Sequence, residues 1–279
     1  MSHVPGNIAG SPLGATVAYR DSYAPDLLFP VSRIPQRQDI GIAGSLPFHG
    51  VDVWNAYELS WLNAKGKPVA ATARFDVPPT SPNIVESKSI KLYLNSLNQT
   101  HFDSVEAVCA VMARDLSAAA GAKVKVAVQP LVAGEVRHQH NFSGILLDDL
   151  DIAIEHYEPA PHLLKLAPGG AEADEVLVSH LLKSNCPVTG QPDWASVRIA
   201  YQGPAIDHAG LLAYIVSFRR HSGFHEHCVE RIYTDLMTRC APHRLSVYAR
   251  YTRRGGLDIN PFRSSEAEDA PQNDGDIRQ

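Results

Sequence analysis

The chain contains no run of about 18 apolar residues, the length a membrane-spanning helix needs. Its first residues, MSHVPGNIAGSPLG, lack the charged start and apolar stretch of a secretory signal. These absences argue against a helical membrane protein and point to a cytoplasmic location. Positive charge is not in excess: 25 lysines and arginines face 30 aspartates and glutamates, for a formal net charge of −5. No general field for nucleic acid or an acidic membrane results, although a local basic pocket for one anionic group stays open. Cysteine is scarce, with four residues at 109, 186, 228 and 240 and no CxxC pair, so in a reducing compartment structural disulfides are not expected. No GxGxxG follows any predicted strand, which removes the Rossmann dinucleotide fingerprint.

What is present is ordinary globular material. The 279 residues are 44% hydrophobic and 20% charged, enough for one large domain or two of common size. Residues 1–48 are rich in Gly, Pro and Ser and read as an N-terminal extension, and 265–279 (SEAEDAPQNDGDIRQ) read as a disordered acidic tail. Between them the pattern runs twice. VWNAYELSWL, the turn AKGKP and VAATARFDV predict a hairpin, and Ser87–Leu97 a first helix. Asp103 or Ser104 then caps VEAVCAVMARDLSAAA, with Val105, Val108, Met112 and Leu116 on one face, and KVKVAVQPL closes the unit as a strand.

EVLVSHLLKSN, ASVRIAYQG, HAGLLAYIVSFRR, HEHCVERIYTDLMTRC and RLSVYARYTRRGG repeat that order. The expectation is an α+β chain of two copies of one unit, 49–150 and 175–264, joined by the Pro- and Gly-containing connector 151–174.

Cys186, in SNCPVTGQPDW, leaves a predicted strand just before Pro187, which cannot continue a central ladder. A lone cysteine is more often buried filler than nucleophile, but its neighbours Ser184, Asn185 and Thr189 are polar, and Asp193 can return across the turn. A thiol attacking an electrophile needs a proton source for the atom that gains charge, and a carboxyl can serve. His225 and Glu226 open an amphipathic helix whose stripe Val229, Ile232, Tyr233, Leu236, Met237 and Cys240 marks Cys240 as core; Glu226 there also complements the helix dipole. His221, His225, His227 and Cys228 permit zinc, yet Gly223 interrupts the helix between the first two, and an HExxH second histidine falls on Val229. Glu86, Ser87, Lys88 and Ser89 stand at a helix start, as an anion site or an ordinary cap.

Taken together, ESKSIKLYLNSLNQTHF, CPVTGQPDW, FHEHCVE and RRGGLDINP, in that order, resemble the NADPH-dependent 7-cyano-7-deazaguanine reductases of queuosine biosynthesis in their long form. The resemblance implies two tandem tunnelling-fold (T-fold) modules, each an antiparallel sheet carrying two helices. It implies reduction of the nitrile of 7-cyano-7-deazaguanine to 7-aminomethyl-7-deazaguanine with two NADPH. By that carry-over Cys186 is the nucleophile, Asp193 the proton donor and His225 a proton relay. Val85, Glu86, Ser87, His225 and Glu226 would hold the base, and Ser87, Lys88, Arg254 and Gly255 the NADPH. No metal, direct nucleic-acid partner or membrane is implied, and the chain would form a homodimer. Two other classes stay in view: a metal-dependent pterin or purine enzyme of the same fold, and a noncatalytic purine-binding protein.

Overall fold

The computed structural model describes residues 19–133, 139–268 and 271–279. The expected extension therefore lies outside the described residues over 1–18, as do 134–138 of the first expected module and 269–270 of the tail. In chain order the strands and α-helices are β1 (Pro30–Ser32), α1 (Ile34–Asp39), β2 (His49–Leu62), β3 (Pro68–Val77), β4 (Asn83–Val85), α2 (Ser87–Ser96), α3 (Val105–Ala120) and β5 (Lys125–Pro130). There follow β6 (Ile145–Leu146), β7 (Glu172–Asn185), β8 (Pro192–Pro204), α4 (His208–Ser217), α5 (His225–Cys240), β9 (Arg244–Tyr251) and β10 (Leu257–Ser264). The fold is α+β, with mostly antiparallel strands and few helices.

The chain divides into two compact units. The first takes the described residues of Met1–Gln38, Asp52–Arg137 and Arg253–Ile259. Its strands run in the order β5-β3-β2, all antiparallel. β3 alternates buried and half-buried residues from Ala71 to Val77, as a sheet with one covered face requires, whereas β2 is buried continuously over Asp52, Val53, Trp54, Asn55 and Ala56. Trp54, Trp61, Phe75, Ile90, Tyr93, Val108, Met112 and Leu116 form the core between sheet and helices. α3 begins where Ser104 accepts the Ala107 N–H, and ends at Gly121 with φ 72°, a left-handed cap that costs glycine no Cβ clash.

The second unit takes Asp39–Val51, the described residues of His138–Thr252, and Asn260–Gln279. β10, β9, β8 and β7 are antiparallel neighbours, and β6 adds in parallel. Leu182, Val197, Leu211, Ile215, Val229, Ile232, Tyr233 and Leu236 lie in its core with Cys240. The parts match in size between units: β2 and β7 have 14 residues each, α2 and α4 have 10, and α3 and α5 have 16. Each hairpin also shifts register once, between Ala56 and Leu59 in one and between Ser179 and Leu182 in the other.

Candidate active site

The β7-β8 hairpin positions the thiol. Ser184 pairs with Asp193 and Asn185 with Pro192, and one step further the Cys186 N–H donates to Gln191 O at 2.8 Å. Cys186 thus extends the ladder by one bond before the turn, which the Gly190 N–H closes on Cys186 O at 3.0 Å. Strand alternation puts Cys186, Ser184 and Asp193 on one face, with Cys186 and Asp193 as diagonal neighbours, a relation that spans about 7–8 Å between Cα atoms. Cys186 is 3% exposed, yet it stands outside the apolar core cluster.

Helix α5 delivers the next group. Its first residue, His225, sets Nε2 3.3 Å from Asp193 Oδ2, the two side chains being 11% and 5% exposed. The imidazole lies flat against the Tyr251 ring, with centroids 3.8 Å apart and planes 5° from parallel. Glu226 follows, buried. Deeper in the first turns, burial pushes the Cys228 thiol up to about 12, which keeps it a neutral packing group. Burial, then the neighbouring His227 and Arg231, push His221 down to about 3. The His221 and His227 rings stand 6.1 Å apart, and among the described residues no three His, Cys, Asp or Glu groups are placed to hold a metal ion.

His221 carries a pH prediction. An unfolded histidine titrates near 6.5, whereas folded His221 stays neutral down to about 3. Between those values the unfolded chain binds the extra proton, so this contribution is complete above 6.5 and declines as pH falls. Urea unfolding at pH 7 and pH 5 should show wild type losing about 2 kcal/mol more than His221→Asn over that interval. Equal losses in the two proteins would refute the assignment.

In the first unit, Glu86 is the N-cap of α2. Its carboxylate accepts from the Lys88 N–H at 2.6 Å, the Ser89 N–H at 2.9 Å and the Ser87 hydroxyl at 3.3 Å. Burial raises its pKa, and these hydrogen bonds oppose the rise. A carboxylate has about four acceptor sites, so three bonds leave capacity for another donor. Val85 precedes it, buried, while Ser87 and Lys88 are half-buried.

The β9-β10 turn brings Arg254 and Gly255 into the same unit. The Arg254 N–H donates to Leu257 O at 2.9 Å, and Gly255 and Gly256 have φ 63° and 77°, the pair of positive values that a type I′ hairpin demands. A Cβ on Gly256 would sit 2.5 Å from the Glu58 carboxyl carbon, and one on Gly255 would sit 3.2 Å from Lys91 Nζ. A cavity of about 80 Å³ opens here, lined by Tyr19, Glu58, Lys91, Asn95, Gly255 and Gly256. Lys88, Lys91 and the guanidinium groups of Arg253 and Arg254 give this unit the donor set that a phosphorylated dinucleotide calls for.

Against known proteins, residues 19–128 match a family model described as nitrile reductase, 7-cyano-7-deazaguanine-reductase N-term. Residues 192–270 match the QueF-like protein model. An NADPH-dependent 7-cyano-7-deazaguanine reductase of Dechloromonas aromatica is 57% identical over 279 residues, covering 100% of this chain and 98% of the relative. The chain belongs to the 7-cyano-7-deazaguanine reductase family. Family members of the same description from Azoarcus sp. and Burkholderia multivorans are each 58% identical over 270 residues, covering 96% of this chain and 95% and 98% of theirs. Val85, Glu86, Ser87 and Lys88 fall within the first family match, and Asp193, His225, Glu226, Arg254 and Gly255 within the second. Cys186 lies between the two matched stretches but inside the full-length similarity.

Residue reasoning from sequence overlooked Tyr251 and the pairing of Arg219 over Trp194 at 5.4 Å. The segment RLSVYARYTRRGG reads only as the last element of the second repeat, with no role for Tyr251. Its opposition to Ala195, whose methyl group occupies little space, depends on a strand register that one sequence does not display.

Proposed function

We propose that this chain is an NADPH-dependent 7-cyano-7-deazaguanine reductase, acting in the cytoplasm as a homodimer on a free base in queuosine biosynthesis. The observation that carries the reading is the convergence of Cys186, Asp193 and His225 on one hairpin face and one helix start, in a chain of this family. Two tandem T-fold modules, 49–150 and 175–264, with a connector at 151–174, an extension before them and a tail after, agree with the matched strand and helix lengths.

In this proposal the Cys186 thiolate adds to the nitrile carbon while Asp193 gives its proton to the nitrile nitrogen, leaving a thioimide C=N. NADPH, when bound, supplies two hydrides that carry the nitrile carbon to the amine level. Cys186 leaves as thiolate when the carbon–sulfur bond breaks, and His225, paired with Asp193, returns protons to that carboxyl group. Glu86 and Glu226 accept from the N–H edge of the base, with Val85, Ser87 and His225 against it. Ser87, Lys88, Arg254 and Gly255 would hold the NADPH, the basic groups being suited to its phosphates.

The deciding experiment incubates the protein with 7-cyano-7-deazaguanine and NADPH and follows absorbance and product mass. Two NADPH consumed per nitrile, with the aminomethyl product formed, is the expected result. No consumption, or activity abolished by a chelator, refutes it.

Asp193→Asn should bind the nitrile base normally but form the Cys186 adduct at least about 100-fold more slowly, because an amide is a far weaker acid. Rapid-quench mass spectrometry reads this directly, and an unchanged adduct rate removes the role.

Glu86→Ser separates two functions of one carboxylate. Serine is itself a good N-cap, so the melting temperature should hold while base affinity falls by about 1.5–3 kcal/mol, the value of a hydrogen bond to a charged group. Calorimetric titration showing unchanged affinity would leave Glu86 as a cap alone.

A further inference from the structure

We infer that Tyr251 is the positioning residue that holds the His225 imidazole in register with Asp193, an inference that rests on the proton-handling role proposed for His225. Among the described residues the imidazole has a single polar tether at its Nε2, the 3.3 Å contact with Asp193 Oδ2. Its Nδ1 is buried with no hydrogen-bond partner among the described residues. A ring fixed by one contact at its edge can still swing about that contact. A second aromatic plane, 3.8 Å away and 5° from parallel, closes off that swing by covering one face.

The platform is rigid for reasons that can be named. Tyr251 is the last residue of β9 and pairs with Ala195 of β8. Its N–H donates to Asn260 Oδ1 at 3.2 Å, and its carbonyl accepts from Gln279 Nε2 at 2.8 Å. The Thr252 N–H donates to Trp194 O at 2.9 Å, so the residue after it is held to β8 as well. Asp193 is two residues along β8 from Ala195, on the same face. One strand pair therefore presents the carboxylate to the imidazole's edge and the tyrosine ring to its face. The ring is fully buried, with Ser184 and the Cys228 thiol beside the phenol. Burial pushes the phenol well above its usual range, so it stays neutral and acts through shape.

Proton transfer needs donor and acceptor within hydrogen-bond reach, and a misplacement of about 1 Å can cost 100-fold in rate. Removing the plane while keeping apolar bulk should therefore lower kcat and spare KM. Tyr251→Leu should lose about 10- to 100-fold in kcat, with KM for the nitrile within about 3-fold of wild type. Tyr251→Phe keeps the ring and should restore kcat to within about 3-fold. A purely structural role would move melting temperature without this split between leucine and phenylalanine. Tyr251→Met takes the place of Tyr251→Leu if the latter does not melt cooperatively.

His225→Gln supplies the control. If Tyr251 acts through His225, the double variant Tyr251→Leu/His225→Gln should be no slower than His225→Gln alone, since coupled groups are not additive. A folded Tyr251→Leu enzyme within about 2-fold of wild-type kcat, beside an impaired His225→Gln, overturns this inference and leaves the role of His225 standing. Losses that multiply in the double variant, or a phenylalanine variant as slow as the leucine one, overturn it too. Full activity in His225→Gln overturns the proposed role of His225 and this inference with it.

Discussion

Cys186→Ala is expected to abolish NADPH oxidation and the covalent adduct with 7-cyano-7-deazaguanine, while the protein still melts cooperatively near the wild-type temperature. The two halves of that result have separate causes. Without sulfur nothing can add to the nitrile carbon, and an unactivated triple bond is a poor hydride acceptor. The fold survives because Cys186, although buried, is not part of the apolar core cluster, and its position is fixed by main-chain bonds to Gln191 and Gly190 that alanine keeps. Cys240 is the contrast. It is 1% exposed, sits within that cluster at the end of α5, and has no assigned chemistry. Cys240→Ala should keep full activity and lose roughly 1 kcal/mol or more of stability through the cavity it leaves. Intact mass spectrometry for the adduct and urea unfolding for stability check both. If the two variants exchange behaviours, the nucleophile has been misplaced.

Long periodic segments were legible from the residues alone, because their signal spans several turns. The predicted helix VEAVCAVMARDLSAAA is α3, Val105–Ala120, and HEHCVERIYTDLMTRC is α5, His225–Cys240. Of the cap alternatives Asp103 and Ser104, the structure selects Ser104. The hairpin strands begin earlier than predicted, β7 at Glu172 and β8 at Pro192: polar residues at the exposed start of β7 do not interrupt a ladder, and Pro192 and Asp193 of β8 lie opposite Asn185 and Ser184 across the turn. Short elements were not legible. β1 and β4 have three residues each and stabilise one another, Pro30 opposite Val85 and Ser32 opposite Asn83. Three residues are too few to show a period, and the pairing is long-range. Cys109 on α3 is only partly buried, and its thiol donates to Val126 O at 3.1 Å.

The site divides along the same line. Cys186 and Asp193 lie seven positions apart across one turn, so their proximity follows from local hairpin geometry. His225 joining Asp193, and Tyr251 covering His225, are contacts between elements far apart in sequence. Residue chemistry could nominate His225, but only register and helix placement show which atom faces it. The Glu86 carboxylate illustrates the reverse. Sequence offered a cap or an anion site as alternatives, and in the structure the carboxylate itself is the cap, a group whose remaining acceptor capacity is the part that binding could use.

Glu230→Ala should be among the most destabilising single changes in the second unit, by about 3–5 kcal/mol. Glu230 lies one helical turn beyond Glu226 on α5 and is 3% exposed, and its Oε1 accepts from Arg263 Nη2 at 2.8 Å and Nε at 3.2 Å. Arg263, on β10, has no exposed side-chain surface. Its Nη1 donates to Phe262 O at 2.8 Å, and its guanidinium lies 5.2 Å over the Phe48 ring. Truncating the glutamate removes a twice-bonded carboxylate from a cation that water cannot reach, and carbonyls and an aromatic face replace only part of that attraction. Glu230→Gln keeps an acceptor at the same place and should lose less. Glu230→Ala/Arg263→Met removes both charges and should recover a substantial part of the loss, because breaking such a pair costs more than replacing it. The strain would fall on the helix that opens with His225 and Glu226, so activity should decline in Glu230→Ala at temperatures where the unit is still folded. Urea unfolding of the four proteins gives the cycle directly. A Glu230→Ala loss below about 1 kcal/mol, or a double variant less stable than the single, would show that the pair is not what anchors α5 to β10.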